Sequence, residues 1–154
     1  MNLVIANRQR AKKIDLRSLE KITAGILEEL KIAGAALEIN LLGAEEMAAL
    51  NETFLHHEGS TDVITFDYAS PASALQGEIF VCVDEAILQA KKFRTNWQSE
   101  IVRYIIHGVL HLLGHDDSGG AVRRRMKRKE NLLLRKLAKK FSLAQISRPP
   151  KMRA

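Results

Sequence analysis

Residues 101–117 read Ile101-Val-Arg-Tyr-Ile-Ile-His107-Gly-Val-Leu-His111-Leu-Leu-Gly114-His-Asp-Asp117, and the fold turns on where this run stops being a helix. Its lead-in, residues 101–106, has the composition of a buried helix. His107 and His111 lie four apart on one helical face, about 6 Å along the axis, so both imidazoles can reach one metal ion. A third ligand cannot come from the next turn. On a continuous helix His115 would sit about 12 Å from His107, too far for ligands held about 2 Å from one ion. The helix therefore has to end, and Gly114 suits the left-handed cap that turns the chain back. After such a turn Asp117 can return to the ion. The spacing H-x-x-x-H-x-x-G-x-x-D predicts a site of three ligands, His107, His111 and Asp117, with an open fourth position. A helical histidine pair alone carries little weight; the glycine stop and the carboxylate beyond it give the pattern its meaning.

Length and composition set the frame. A chain of 154 residues, 46% hydrophobic and 27% charged, suits one well-buried domain and is too short for two comfortable ones. No apolar run approaches the roughly 20 residues of a membrane span, and no signal peptide opens the sequence. The lone Cys82 excludes an intramolecular disulfide and suits a reducing cytoplasm; in its apolar run it reads as a small buried hydrophobe. The net charge of +6 hides an asymmetry. Residues 119–154 hold 13 Lys or Arg against Glu130 alone, whereas residues 1–118 hold 11 basic and 17 acidic side chains. A basic end on an acidic body points to a polyanionic partner.

In chain order, residues 2–6 form a short apolar strand. Asp15 caps a helix carrying Leu16, Leu19, Thr23, Ile26 and Leu30 at helical spacing. Leu37, Ile39 and Leu41 alternate with polar residues as in a half-buried strand. Residues 43–53 return to helical composition, and residues 55–60 form a polar loop with His56 and His57. Residues 61–67 and 77–83 read as two further strands around a loop at 69–76. Asp84 is placed to cap a helix to about Phe93, and Thr95 or Asn96 opens the histidine helix. Beyond Gly119-Gly120, a last helix bears an apolar stripe of Val122, Met126, Leu133, Leu137 and Phe141. The order β-α-β-α-β-β-α-α-α predicts one α/β (α+β) domain over residues 1–145, a roughly four-stranded mixed sheet covered by about five helices. Residues 146–154 are expected to be a flexible tail.

The histidine segment resembles the signature H-G-x-L-H-L-x-G-Y/H-D-H of the YbeY family of bacterial metal-dependent endoribonucleases. Leu50-Asn51 with Phe54 is similar to that family's L-N-x-x-F/Y, and Thr61-Asp-Val-Ile-Thr-Phe66 to its T-D-V-L-S-F. Gly77-Glu-Ile79, Gln89-Ala90, Glu100 with Arg103, and Met126 with Glu130 match further family positions, covering about residues 40–134 in the same order. The resemblance implies a single-strand-specific endoribonuclease of 16S rRNA 3′-end maturation, ribosome assembly and quality control. It also implies ribosomal RNA and the small ribosomal subunit as partners, with no membrane. Two positions depart from the pattern. The family's third ligand is usually histidine where this chain has Asp117, and many members carry an arginine implicated in RNA cleavage where Leu55 stands. His115 falls on a position outside the ligand set.

A three-ligand site with a vacancy acidifies bound water and polarises a phosphoryl oxygen. Zn2+ is the default for such a donor set, one ion per chain, although affinity order does not separate it from Ni or Co. The general base is not identified. His56 and His57 are candidates to replace the missing arginine, with plain loop surface as the alternative. Glu100, on the same face as His107, is a candidate to orient an imidazole; a first-turn acid favoured by the helix dipole is the other reading. Asp62 reads as a structural hydrogen-bonding residue at the cleft. Arg103, Arg123, Arg124, Arg125, Lys127 and Arg128 are candidates for contact with RNA phosphates. Gly108 occupies the place where H-E-x-x-H peptidases carry their general base, which disfavours peptidase chemistry; its other reading is close packing against a strand. Two alternatives stay open: a peptidase-like metallohydrolase, and a non-catalytic ribosome-assembly factor with a structural metal.

Overall fold

The computed structural model describes residues 2–69, 75–115 and 118–147. Strand β1 (Asn2–Asn7) leads to helix α1 (Leu16–Glu29), strand β2 (Ala35–Leu42) and the short helix α2 (Ala44–Leu50), which continues into a π turn at Asn51–Leu55. Strands β3 (Val63–Asp67) and β4 (Leu75–Cys82) follow, then helices α3 (Val83–Phe93), α4 (Trp97–Leu112) and α5 (Gly120–Lys140) and a 3-10 turn at Leu143–Ile146. The sheet runs in the order β1-β2-β4-β3. β1 and β4 flank β2 in parallel, with Leu3 opposite Leu37 and Ile39 opposite Ile79, whereas β3 is antiparallel to β4, with Val63 opposite Val81. The mixed four-stranded sheet and five helices match the architecture expected from the element order.

Alternation along the strands divides the interior. Leu37, Ile39 and Leu41 of β2 with Ile79 and Val81 of β4 face the main core beneath α1, α3, α4 and α5. Leu42, Ile64, Phe80 and Cys82 face the other way and meet Met47 of α2. α4 is the axis of the main core. Ile101, Val102, Ile105, Ile106, Val109 and Leu110 are all fully buried, so this helix is enclosed on most of its circumference rather than on a single stripe.

Three expectations shift. β4 begins at Leu75 because Leu75 and Gln76 already pair with Ala35 and Ala36, which shortens the loop expected over 69–76; residues 70–74 of that loop lie outside the described residues. Asp84 does not cap its own helix. Its Oδ2 accepts from the Ala44 N–H at 2.7 Å, serving the start of α2, where Gly43 has no side chain to offer. The first two residues of the flexible tail expected over 146–154 are held in place: Ile146 is fully buried, its carbonyl accepts from Asp15 N–H at 2.7 Å, and Ser147 bridges Ile14. Burial of an isoleucine side chain outweighs the entropy of leaving it free. Residues 148–154 lie outside the described residues.

Candidate metal centre and its flanking cavity

α4 is started by Asn96, whose Oδ1 accepts from the Ser99 N–H at 2.9 Å. It is stopped by Gly114, in the left-handed region at φ +93°. The Gly114 N–H donates to the His111 carbonyl at 2.9 Å and the His115 N–H to the Leu110 carbonyl at 3.0 Å. That pair of bonds is the Schellman termination that a glycine one residue past the helix permits. The helix thus ends where the sequence requires. Asp117 lies outside the described residues, so of the ligand set expected from the sequence only His107 and His111 are described. Among the described residues no group of three His, Cys, Asp or Glu side chains is arranged to hold a metal.

The two imidazoles stand with ring centroids 4.6 Å apart at 65°. His107 is oriented from behind: its Nδ1 lies 2.9 Å from Oε2 of Glu130 on α5. A carboxylate can only accept there, so Nδ1 carries the proton; in the neutral imidazole the lone pair is then on Nε2. Glu130 is buried, with Met126 and Leu133 of the same helix buried on either side. A carboxylate in the apolar stripe of a surface helix is costly unless bonded. Its one described partner, His107, therefore accounts for its place. Glu100 was a candidate for this orienting role, with a first-turn acid as the other reading. Glu100 is buried too, but its Oε1 accepts from the Thr95 hydroxyl at 2.9 Å and touches neither imidazole. Replacing Glu130 by alanine should leave the fold intact and weaken metal affinity by about 10–100-fold. Zinc titration of the wild type and Glu130→Ala, with a chelating dye as competitor, checks this; equal affinities would refute it.

His107, Glu130 and Glu100 line one cavity of about 500 Å3, between the C-terminal half of α3, the first half of α4 and the first half of α5. Arg103 lies on its wall, with Nη1 bonded to Asn131 Oδ1 at 2.6 Å. Arg123 and Lys127 reach the same cavity from α5, one turn apart. Arg124, Arg125 and Arg128 are exposed on α5 but do not line it. Further along α5 the cations turn to structure: Lys140 pairs with Glu29 of α1 at 2.5 Å and Lys136 lies 4.0 Å from it. Asp62, just before β3, also lines the cavity and uses Oδ1 to accept from the Val63 N–H at 2.8 Å, a structural hydrogen bond. The Tyr104 hydroxyl is buried with no partner among the described residues. Burial first, then the charges of Asp62 and Glu100, push its phenol far above the ordinary range, so it remains a proton donor.

Other sequence-predicted residues lie elsewhere. His56 follows the π turn in the left-handed region, and with His57 and Glu58 it lines a surface depression that shares no residue with the His107 cavity. His115 has its basicity lowered, first by burial and then by Lys129 and His111. Gly108 settles into packing: a Cβ there would lie 2.8 Å from Ile79 Cγ2. Cys82 is buried, and burial raises its thiol pKa, as expected of a structural cysteine.

Comparison with known proteins agrees with this architecture. Residues 4–138 match the family described as Endoribonuclease YbeY. A protein of that name from Chlorobium phaeovibrioides is 36% identical over 117 residues, 76% of this chain and 78% of that protein. One from Chlorobium luteolum is 34% identical, covering 89% of this chain and 98% of that protein, and one from Chlamydia pneumoniae is 32% identical over 90% and 92%. A solution structure of a Thermotoga maritima protein superposes with a TM-score of 0.68 over 98% of this chain and 99% of that chain at 23% identity, which speaks to the fold alone. A match over most of the chain, with the histidine helix and its glycine stop inside it, places this protein in the endoribonuclease YbeY family.

Proposed function

We propose that the protein is a metal-dependent endoribonuclease that cuts single-stranded RNA in the cytoplasm, acting in 16S rRNA 3′-end maturation and ribosome assembly. Family membership supports endonuclease action on RNA. The observation that supports the metal-dependent part is the buried Glu130 carboxylate bonded to Nδ1 of His107, on a helix that ends at Leu112, directly after His111. Imidazole donors with an orienting carboxylate fit Zn2+, and His107, His111 and Asp117 would hold it. Such an ion supplies Lewis acidity to a phosphoryl oxygen and charge stabilisation at the transition state.

The remaining parts are the chain's own. Arg123 and Lys127 give the cavity rim a positive charge beside the histidines, suited to a phosphodiester. The exposed Arg124, Arg125 and Arg128 extend that charge along α5 and would dock the flanking RNA. No helix among the described residues is long and apolar enough to cross a membrane. Peptidase chemistry is disfavoured by packing, because a glutamate at position 108 would collide with Ile79.

The test sets single-stranded RNA beside casein-like peptides, with zinc-loaded and chelator-treated protein, across a salt series. RNA should be cut, chelation should abolish cutting, and peptides should survive. RNA affinity should fall steeply with salt and lose part of that slope when charges at 124, 125 and 128 are reversed. Peptide cleavage without RNA cleavage would sink the assignment, and an unchanged slope would remove α5 as the docking face.

A further inference from the structure

Among its described lining residues, the cavity beside His107 sets three carboxylates, Asp62, Glu100 and Glu130, against three cations, Arg103, Arg123 and Lys127, a mixed charge unlike a simple phosphate site. Glu130 is committed to His107 and Arg103 is tied to Asn131. Other lining residues keep acceptors. Asp62 and Glu100 each use one carboxylate oxygen in the bonds described, Oδ1 and Oε1 respectively. Gln89 donates its Nε2 to Glu85 at 2.8 Å, and its carbonyl oxygen takes no part in that bond. A bare phosphate would be repelled by these groups; a ligand rich in N–H donors would satisfy them.

The cavity also has an exposed aromatic side chain in its lining. Phe93, at the end of α3, is 62% exposed although it lines the cavity, and the Lys92 ammonium covers its ring at 5.4 Å. Large aromatics left this open are a frequent stacking surface for unpaired bases. About 500 Å3 is ample room for one base with its sugar.

We infer that this cavity binds a nucleobase of the RNA substrate, adjacent to the scissile phosphate, and that it prefers guanine. Of the four bases only guanine offers a ring N–H beside an exocyclic amine, the pair of donors one carboxylate accepts together. Glu100 is the reader of that edge and Phe93 the stacking surface. Tyr104 lines the same cavity, and its hydroxyl, without a partner among the described residues, is a donor that a purine carbonyl can satisfy. This inference rests on the RNA-cleaving reading above and adds a base preference to it.

Guanosine 5′-monophosphate, adenosine 5′-monophosphate and inorganic phosphate are titrated into the metal-loaded protein by calorimetry, for wild type, Phe93→Ala and Glu100→Gln. The exposed Phe93 is no hazard to folding, and melting curves check Glu100→Gln. The guanine nucleotide should bind about tenfold tighter than the adenine one. Phe93→Ala should weaken both nucleotides by about tenfold, whereas Glu100→Gln should erase only the difference between them. In parallel, guanosine is replaced by inosine, which lacks the exocyclic amine, at each position of a short RNA. One position should lose about tenfold in kcat/KM with wild type and little with Glu100→Gln. Equal binding of both nucleotides, or preference unaltered in Glu100→Gln, overturns the base pocket even if RNA is still cut. Guanine-selective binding by a protein that cuts no RNA instead overturns the nuclease reading and leaves the pocket standing.

Discussion

His111→Ala should lose zinc and lower cleavage of single-stranded RNA by on the order of a thousandfold or more, the several kcal/mol that a catalytic metal contributes. The fold should hold, because His111 is only half-buried at the end of α4 and the Schellman bonds that stop the helix involve backbone alone. Asp117→Ala should show a similar but smaller loss, since two imidazoles retain part of the affinity. Asp117→His should keep the metal, removing a negative charge and so acidifying bound water. Metal content by mass spectrometry and single-turnover cleavage on the same preparations check the set. Full zinc occupancy in His111→Ala would remove the histidine helix from the ligand set.

Gly77→Ala should lower stability by about 2–3 kcal/mol, a fall in Tm of roughly 5–10 °C for a chain of this size. An added Cβ would lie 2.6 Å from the Phe66 carbonyl oxygen of the neighbouring strand and 2.8 Å from Leu112 Cδ2 in the last turn of α4. The oxygen belongs to a paired backbone and cannot swing aside, so the strands or the helix end must shift. Position 108 meets side-chain carbons of Ile79 at a similar distance, and Gly108→Ala should cost less because a side chain yields more readily than a ladder. Thermal melts of both variants decide the ranking. The Gly77 variant should also lose some metal affinity, because Leu112 follows His111 directly; unchanged zinc binding would show that the helix end absorbs no part of the displacement.

The fold, and the pairing of His107 with His111 on α4, were legible because their determinants are local. The histidine spacing, the Asn96 start and the Gly114 stop all act within a turn of the residues they position. Alternation of Leu37, Ile39 and Leu41 in β2 assigned its core face for the same reason. The misreadings share a different cause. Asp84 looked like a cap for its own helix, yet it bonds 40 residues away. Glu100 has the right helical face for His107, but α5 brings Glu130 closer, and no spacing along α4 could show that. A signal was nonetheless present: Glu130 interrupts an apolar stripe between Met126 and Leu133, where an acid requires a buried partner. The cavity was invisible for the same reason, since its walls come from three helices and the approach to β3.

The late closure of the core bears on how the polypeptide matures. Leu143 and Ile146 complete an interior whose other side is Ile14 at the mouth of α1, and Gln98 of α4 bonds the Ser147 hydroxyl at 2.7 Å. During vectorial synthesis the sheet and the histidine helix therefore exist for some time with one flank open to solvent. Sealing awaits the emergence of these last few side chains from the translating particle, so stalled or prematurely released chains should be the protease-sensitive species in the cell.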